Sequence, residues 1–398
     1  MLNKAFKTMF VLAATCLMFS SCAKNNSNEG ENENMNKNEV QKPELYEEVY
    51  DGKIIYNEPI VLIKDGNKIK GKLLYHPSRI IKITDFTGAK ELDYSGVEIN
   101  DRELSFDVNS GLPFFPKEFL NCETNLLKQM VQEEPYKKFN LGTHEGKING
   151  NSIVFTEGVG ICMNQIQVTY EHEGSEWQGF KIPSYKDGPL SNFIYKLNHN
   201  EKVTIVFYGA STMSGASVSS KLGIEPFMET FPELIVKGIQ KRYPNVEIIP
   251  VNPSVGGMLT DWAVQNVVSC VNIYDPDLVI AQWGMNDGSW KVNPDTFTER
   301  CEIVIQSIKQ NTDADILFNK SMLANPMSPQ NNGYVERYSP LMDNYIDDYN
   351  VGVVDFTEIS EDLYALKNPI DLLNNNINHP NDFFARIFAD VILRAIFG

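Results

Sequence analysis

The sequence predicts an α/β domain built on a three-layer parallel sheet and preceded by an all-β sandwich. Two observations carry this. From Val203 onward, short apolar runs alternate with amphipathic stretches of helical period, the pattern of a parallel sheet covered on both faces. Before about residue 195, alternating runs are broken by turn dipeptides and helical periodicity is scarce, as in a sandwich. The chain has 398 residues, 42% of them hydrophobic, enough for two such cores. The division expected is 1–21, 22–45, 46–195 and 196–398.

The first 21 residues read as a processing signal. Lys4 and Lys7 precede the apolar run Met9 to Phe19, which is too short for a stable membrane-spanning helix. Ser20-Ser21-Cys22 then resembles a bacterial lipobox, with Phe19 where Leu is commoner. That resemblance implies cleavage before Cys22, lipidation of its thiol, and an exported lipoprotein of the outer membrane. An ordinary secretory signal is the alternative. Residues from Ala23 to about Glu39 are rich in Asn, Glu, Lys and Ser and read as a disordered tether. It would reach some tens of Å at roughly 5–6 Å × √n.

In the β-rich half, Ile60 to Ile63 and Ile69 to Tyr75 flank the turn dipeptide Asp65-Gly66. Arg79 to Thr84 and Gln165 to Tyr170 alternate as strands. Val97 to Ile99 and Leu104 to Phe106 form a predicted hairpin through Asn100-Asp101. A short helix is expected near Asn125 to Gln132, and Tyr185 to Asn200 reads as a link.

In the α/β half the predicted strands are Val203 to Tyr208, Val246 to Val251, Leu278 to Trp283, Ile316 to Phe318 and Val351 to Phe356. Helices are expected over Phe231–Tyr243, Leu259–Ile273, Pro294–Asn311, Tyr334–Tyr349 and Asp382–Ile396. Ser211, Gly257, Asn286 and His379 all follow predicted strands, where sites of such sheets form.

These four residues are the candidate catalytic set. Ser211 at a strand-to-helix junction can present a hydroxyl and its own N–H to one space; a helix N-cap is its other common role. Of five histidines, His76, His144, His172 and His199 lie in or near the β-rich half and only His379 lies beyond the first α/β strand, which makes it the natural base. Gly257 can bring a backbone N–H to an oxyanion, and Asn286 can add a neutral side-chain donor. A turn and a helix cap are the plainer readings of those two. Trp262, Trp283 and Trp290 surround these blocks. The first two suit core packing, and Trp290 is the candidate platform for a sugar ring.

No Cys/His/carboxylate spacing suggests a metal, and no glycine-rich loop suggests a nucleotide cofactor. A net charge of −17 argues against nucleic acid as a partner. Beyond Cys16 and Cys22, the remaining Cys122, Cys162, Cys270 and Cys301 are scattered, and no pairing is assigned.

Taken together, Gly209-Ala210-Ser211-Thr212, Asn252 to Gly257, Gly284-Met285-Asn286-Asp287 and Asn376-Ile377-Asn378-His379-Pro380 resemble the blocks of the SGNH hydrolases of the GDSL esterase superfamily. The resemblance runs from about residue 200 to the C-terminus. It implies a flavodoxin-like sheet, Ser211 as nucleophile, His379 as base, and Ser211 N–H, Gly257 N–H and Asn286 as oxyanion donors. A β-sandwich ahead of such a domain also resembles two-domain carbohydrate acetyl esterases. Two positions depart from the pattern. Ala210 stands where the family has Asp, and Asn376 stands where Asp usually orients the histidine. Asn376, a backbone carbonyl, Asp382 or Asp355 are the candidates for that orienting role.

The expected function is a serine esterase acting on O-acyl, chiefly O-acetyl, groups of carbohydrate. Its rivals are a non-catalytic glycan-binding lipoprotein with a decayed hydrolase fold, and an esterase for lipid or peptidoglycan acetyl esters.

Overall fold

The computed structural model describes residues 53–173 and 180–398. The signal segment, Cys22, the tether and the first residues of the expected β-rich unit lie outside the described residues. All described residues belong to one compact unit.

The β-rich region contains three small sheets. One joins Ile54–Val61, Gln165–His172 and Pro77–Thr84 in antiparallel order. The second runs Glu98–Asn100, Glu103–Asp107, Lys68–Lys72, Ile63–Asp65 and Phe115–Pro116. Its hairpin is the predicted one, with Ile99 opposite Leu104. Ile60 and Val168 of the first sheet share a buried cluster with Ile69, Leu104 and Phe106 of the second. A third sheet, Cys122–Glu123, Asn151–Phe155 and Gly142–Glu145, packs with the short helix Thr124–Met130.

The parallel sheet has five strands: β1 (Val203–Gly209), β2 (Ile248–Val251), β3 (Leu278–Gln282), β4 (Asp315–Lys320) and β5 (Gly352–Asp355). Every pairing is parallel, in the order β2-β1-β3-β4-β5. This is the flavodoxin-like order, whose switch point lies between β1 and β3. Strand residues alternate between two cores, as period-two geometry requires. Ile205, Phe207, Leu278, Ile280 and Leu317 face one, with helices Phe231–Arg242 and Asp382–Phe397. Val206, Tyr208, Val279, Ala281, Ile316 and Phe318 face the other, with helices Thr260–Cys270 and Pro294–Asn311.

Three expectations change. The link at Tyr185 to Asn200 contains a helix, Ser191–Asn198, which buries Phe193 and Leu197, and the expected boundary at 195/196 falls inside it. The predicted helix Tyr334–Tyr349 is broken into Tyr334–Tyr338, a 3₁₀ turn Ser339–Met342 and Tyr345–Tyr349, because Pro340 has no N–H for a continuing helix. Helix Phe356–Leu366 follows β5 directly; of its residues the sequence reading covers only Phe356, as the end of the strand. The four cysteines Cys122, Cys162, Cys270 and Cys301 are free thiols. No helix among the described residues is long and apolar enough to cross a membrane.

The β-rich and α/β regions are joined by buried charge. Lys367 Nζ lies 2.5 Å from Glu58 Oε1 and 3.7 Å from Asp371 Oδ2, and all three side chains are fully buried. Glu58 also accepts from Tyr170 Oη at 2.6 Å and from Leu74 N–H at 2.9 Å. Asp371 Oδ1 accepts from Val61 N–H at 2.7 Å. The longer Lys367–Asp371 contact is an ion pair without a hydrogen bond, and burial pushes the Asp371 carboxyl up to about 6 against the pull of Lys367.

Removing one partner of such a cluster strands the others. Lys367→Met is expected to cost about 3–5 kcal/mol in urea unfolding. Asp371, already raised by burial and now without the pull of Lys367, then needs a proton, and an acid whose folded pKa is raised loses stability as pH rises. The deficit should therefore be larger at pH 8 than at pH 5; an equal deficit at both would contradict this account.

Candidate active site

β1 ends at Gly209 because no side chain fits there: a Cβ would lie 2.7 Å from the Gln282 carbonyl oxygen and from Met213 Cβ. The chain then turns. Ser214 N–H donates to the Ala210 carbonyl, Gly215 N–H to Thr212 and Ala216 N–H to Ser211, each at 3.0 Å. The turn leaves Ser211 half-buried at the end of the sheet. Ala210 packs against the second core cluster, where an aspartate would have to lose water.

The loop after β2 is sewn onto this turn. Ser254 Oγ accepts from Gly209 N–H at 3.0 Å and donates to the Phe207 carbonyl at 3.1 Å. Val255 N–H donates to the Gly209 carbonyl, and Asn252 Nδ2 to the Met213 carbonyl. Gly256 is thereby held against Ser211, since a methyl group on it would sit 3.7 Å from Ser211 Cβ. Gly257 follows with φ +79°, a backbone state that favours glycine.

Asn286 lies in the one-turn helix Met285–Ser289 after β3. Its Nδ2 donates to the Met258 carbonyl at 2.9 Å, which spends one of the two amide hydrogens. Asp287 is buried beneath. Its Oδ1 accepts from Thr260 N–H at 3.1 Å and Thr260 Oγ1 at 2.6 Å, and burial raises its carboxyl above the ordinary range. It thus ties the β3 loop to the start of the helix after Gly257. Neither Ser211 N–H nor Gly257 N–H is spent on a hydrogen bond among the described residues.

His379 arrives on the asparagine-rich loop between Asp371 and the last helix. Asn375 Oδ1 accepts three N–H groups, from Ile377, Asn378 and His379, at 2.9–3.0 Å. Asn374 N–H donates to the His379 carbonyl at 2.9 Å. The ring is then fixed at both nitrogens. Nε2 lies 3.1 Å from Ser211 Oγ, and Nδ1 lies 3.1 Å from Ser217 Oγ. Burial lowers the imidazole pKa to about 4, so the ring is neutral at ordinary pH and can accept a proton.

The expected orienting residues stand elsewhere. Asn376, in the left-handed region at φ +62°, donates from Nδ2 to the Val154 carbonyl of the β-rich region at 2.9 Å and accepts from Asn325 Nδ2 at 2.8 Å. Asp382 Oδ1 accepts from Ser219 N–H at 2.8 Å. Asp355 pairs with Lys320 at 2.7 Å and caps helix Phe356–Leu366. Sequence reading missed Ser217 and Asn375. The run Asn374-Asn375-Asn376 signals a hydrogen-bonded loop, but nothing local marks Ser217.

Trp283 is 3% exposed and packs edge-on against Tyr208, with Trp262 beside both. Trp290 is 75% exposed, and its N–H donates to the Asn286 carbonyl at 2.9 Å. Among the described residues no group of His, Cys, Asp and Glu has the arrangement to hold a metal ion.

Residues 207–386 match the model of the GDSL-like Lipase/Acylhydrolase family. The α/β region is a GDSL-like lipase/acylhydrolase domain. The matched segment contains Ser211, Gly257, Asn286 and His379, and the family is one of carboxylic ester hydrolases. No curated protein matches the chain. Among solved structures, a two-domain esterase active on acetylated mannans is similar at 18% identity, covering 54% of this chain and 55% of its own, with a TM-score of 0.42. An acetylxylan esterase from Geobacillus stearothermophilus is similar at 17% identity, covering 49% of this chain and 94% of its own, also with a TM-score of 0.42. This chain thus spans about half the length of the mannan-active esterase.

Proposed function

We propose that the protein is a serine esterase that removes O-acyl groups, chiefly O-acetyl, from carbohydrate. The observation that carries this is the 3.1 Å contact of Ser211 Oγ with His379 Nε2. Such a contact lies within the reach a nucleophile and base require.

In this reading Ser211 Oγ attacks the ester carbonyl carbon while its proton passes to Nε2. The oxyanion is met by Ser211 N–H, Gly257 N–H and the second Nδ2 hydrogen of Asn286. The imidazolium returns its proton to the departing sugar hydroxyl, and the C–O bond breaks. Water then attacks the acyl-enzyme by the same route and releases acetate. Trp290, exposed one turn beyond Asn286, is the proposed stacking face for a sugar ring. The carbohydrate class follows the resemblance of the chain to two-domain acetyl esterases. The lipobox resemblance at Cys22 adds an exported protein held to the outer membrane by lipid.

Ser211→Ala is expected to abolish turnover of p-nitrophenyl acetate and labelling by a fluorophosphonate. Asn286→Ala should keep labelling but lower kcat by about 10²–10³, the usual effect of one oxyanion donor. Parental turnover by the Ser211→Ala protein would refute the assignment. A glycan-binding protein with a decayed site would bind acetylated oligosaccharide yet take no label.

The pH profile is the second check. His379 must be neutral to act as base, and its pKa is lowered to about 4. The acid limb of kcat/KM should therefore fall well below the ordinary histidine value of ~6.5. A limb at that ordinary value would show the ring to be solvated in the free enzyme.

The anchor is tested separately. Cells expressing the full chain should incorporate radiolabelled palmitate, and Cys22→Ala should not. Equal labelling of both would remove the lipid attachment.

A further inference from the structure

We infer that Ser217 is the positioning residue of the site, holding the His379 ring through Nδ1 in the place where related sites use a carboxylate. The inference rests on the esterase reading and adds a residue to it. Ser217 Oγ is 3.1 Å from Nδ1, while Ser211 Oγ is 3.1 Å from Nε2. The two serines are six residues apart on one turn, and Ala216 N–H closes that turn onto the Ser211 carbonyl at 3.0 Å. One loop therefore grips both nitrogens of the ring.

Three further features set Ser217 apart from a bystander. It is 8% exposed, so its hydroxyl cannot rely on bulk water for a partner. Its φ is +70°, an unfavourable state for a residue with a Cβ, of the kind that clusters at functional sites. Its carbonyl accepts from Asn374 Nδ2 at 2.7 Å, and Asn374 N–H donates to the His379 carbonyl at 2.9 Å. Asn374 thus clamps the serine and the histidine to each other from the loop that carries the base.

The chemical role follows from the hydroxyl. A neutral imidazole that accepts the Ser211 proton at Nε2 must carry its own hydrogen at Nδ1. Ser217 Oγ accepts that hydrogen and so fixes both the tautomer and the ring plane. Being neutral, it does less than a carboxylate to stabilise the imidazolium formed during attack. The other candidates are committed: Asn376 to Val154 and Asn325, Asp382 Oδ1 to Ser219 N–H.

The test uses the full chain and three measurements. Ser217→Ala should lower kcat for p-nitrophenyl acetate at least about tenfold, with KM changed less than about twofold and the melting temperature near the parental one. Ser217→Asp places a carboxylate at Nδ1, and aspartate tolerates a positive φ. It should recover kcat above the Ala variant and move the acid limb of the pH profile upward, since a nearby negative charge raises an imidazole pKa. That shift requires residue 217 to face Nδ1 in solution, as the 3.1 Å contact has it. Nitrogen NMR of the parental protein should show the His379 proton on Nδ1.

An active parent with an equally active Ser217→Ala variant would overturn this inference and leave the esterase intact. So would an unmoved acid limb in the Asp variant, whether or not the Ala variant keeps its fold, or a proton found on Nε2. A parent that neither turns over ester nor takes a fluorophosphonate would remove the esterase reading and this inference together.

Discussion

A lysine buried between two carboxylates governs how this molecule is put together. Lys367 has no exposed side-chain surface, and neither do Glu58 and Asp371 beside it. Charges taken from water persist only when paired and hydrogen-bonded. That requirement forces strand Ile54–Val61 of the β-rich region against residues 367–371, which follow helix Phe356–Leu366. The cluster is a specifying contact more than a stabilising one, because a well-packed apolar replacement often does as well. What it specifies is the starting point of the loop that carries His379.

From that point the loop is laid down by amides. Gln165 Nε2 reaches the Ile370 carbonyl, Asn381 Nδ2 the Asp371 carbonyl, Asn376 Nδ2 the Val154 carbonyl and Asn325 Nδ2 the Asn376 carbonyl. Each bond satisfies a backbone carbonyl that burial would otherwise leave costly. The β-rich region therefore does more than sit beside the hydrolase domain. It supplies Val154, Val61 and Glu58 as fixed points from which the imidazole is aimed, across more than 200 residues of sequence. A 1 Å drift at the ring is enough to impair a proton transfer that works at 3.1 Å.

Much of this was legible and some was not, for physical reasons. The five strands and helix Pro294–Asn311 were readable because each has a period and a boundary: Asn293 caps that helix, and Pro294 opens it. Ser211, Gly257, Asn286 and His379 could be picked out as candidates because parallel sheets gather loops at one end, and the structure brings Ser211 and His379 to 3.1 Å. Helix Phe356–Leu366 escaped because its first residue, Phe356, extends the apolar character of β5 past Asp355, and the capping role of that aspartate was not read as a helix start. Ser217 escaped because its partner is 162 residues away and its left-handed backbone leaves no mark in a run of small polar residues. Asn376 was misplaced by analogy. Its position matches the family's aspartate, but its side chain turns to the β-rich region instead of the ring.

That displacement bears on whether the site is working or decayed. Loss of a carboxylate from position 376 would leave Nδ1 of a buried imidazole unpaired, at a cost near that of any unsatisfied buried donor, ~1–3 kcal/mol. A drifting site would meet that cost by letting the ring swing to solvent. Here the half-buried ring sits between two hydroxyls, a strained serine occupies Nδ1, and Asn374 and Asn375 are spent on holding the loop. Ala210, the other departure, is half-buried and packs against the second core cluster. Asn376 and Ala210 are thus both accommodated by the hydrogen bonds and packing around them. An arrangement of that kind is what the proposed esterase requires, and it is the ground for preferring that proposal to a decayed site.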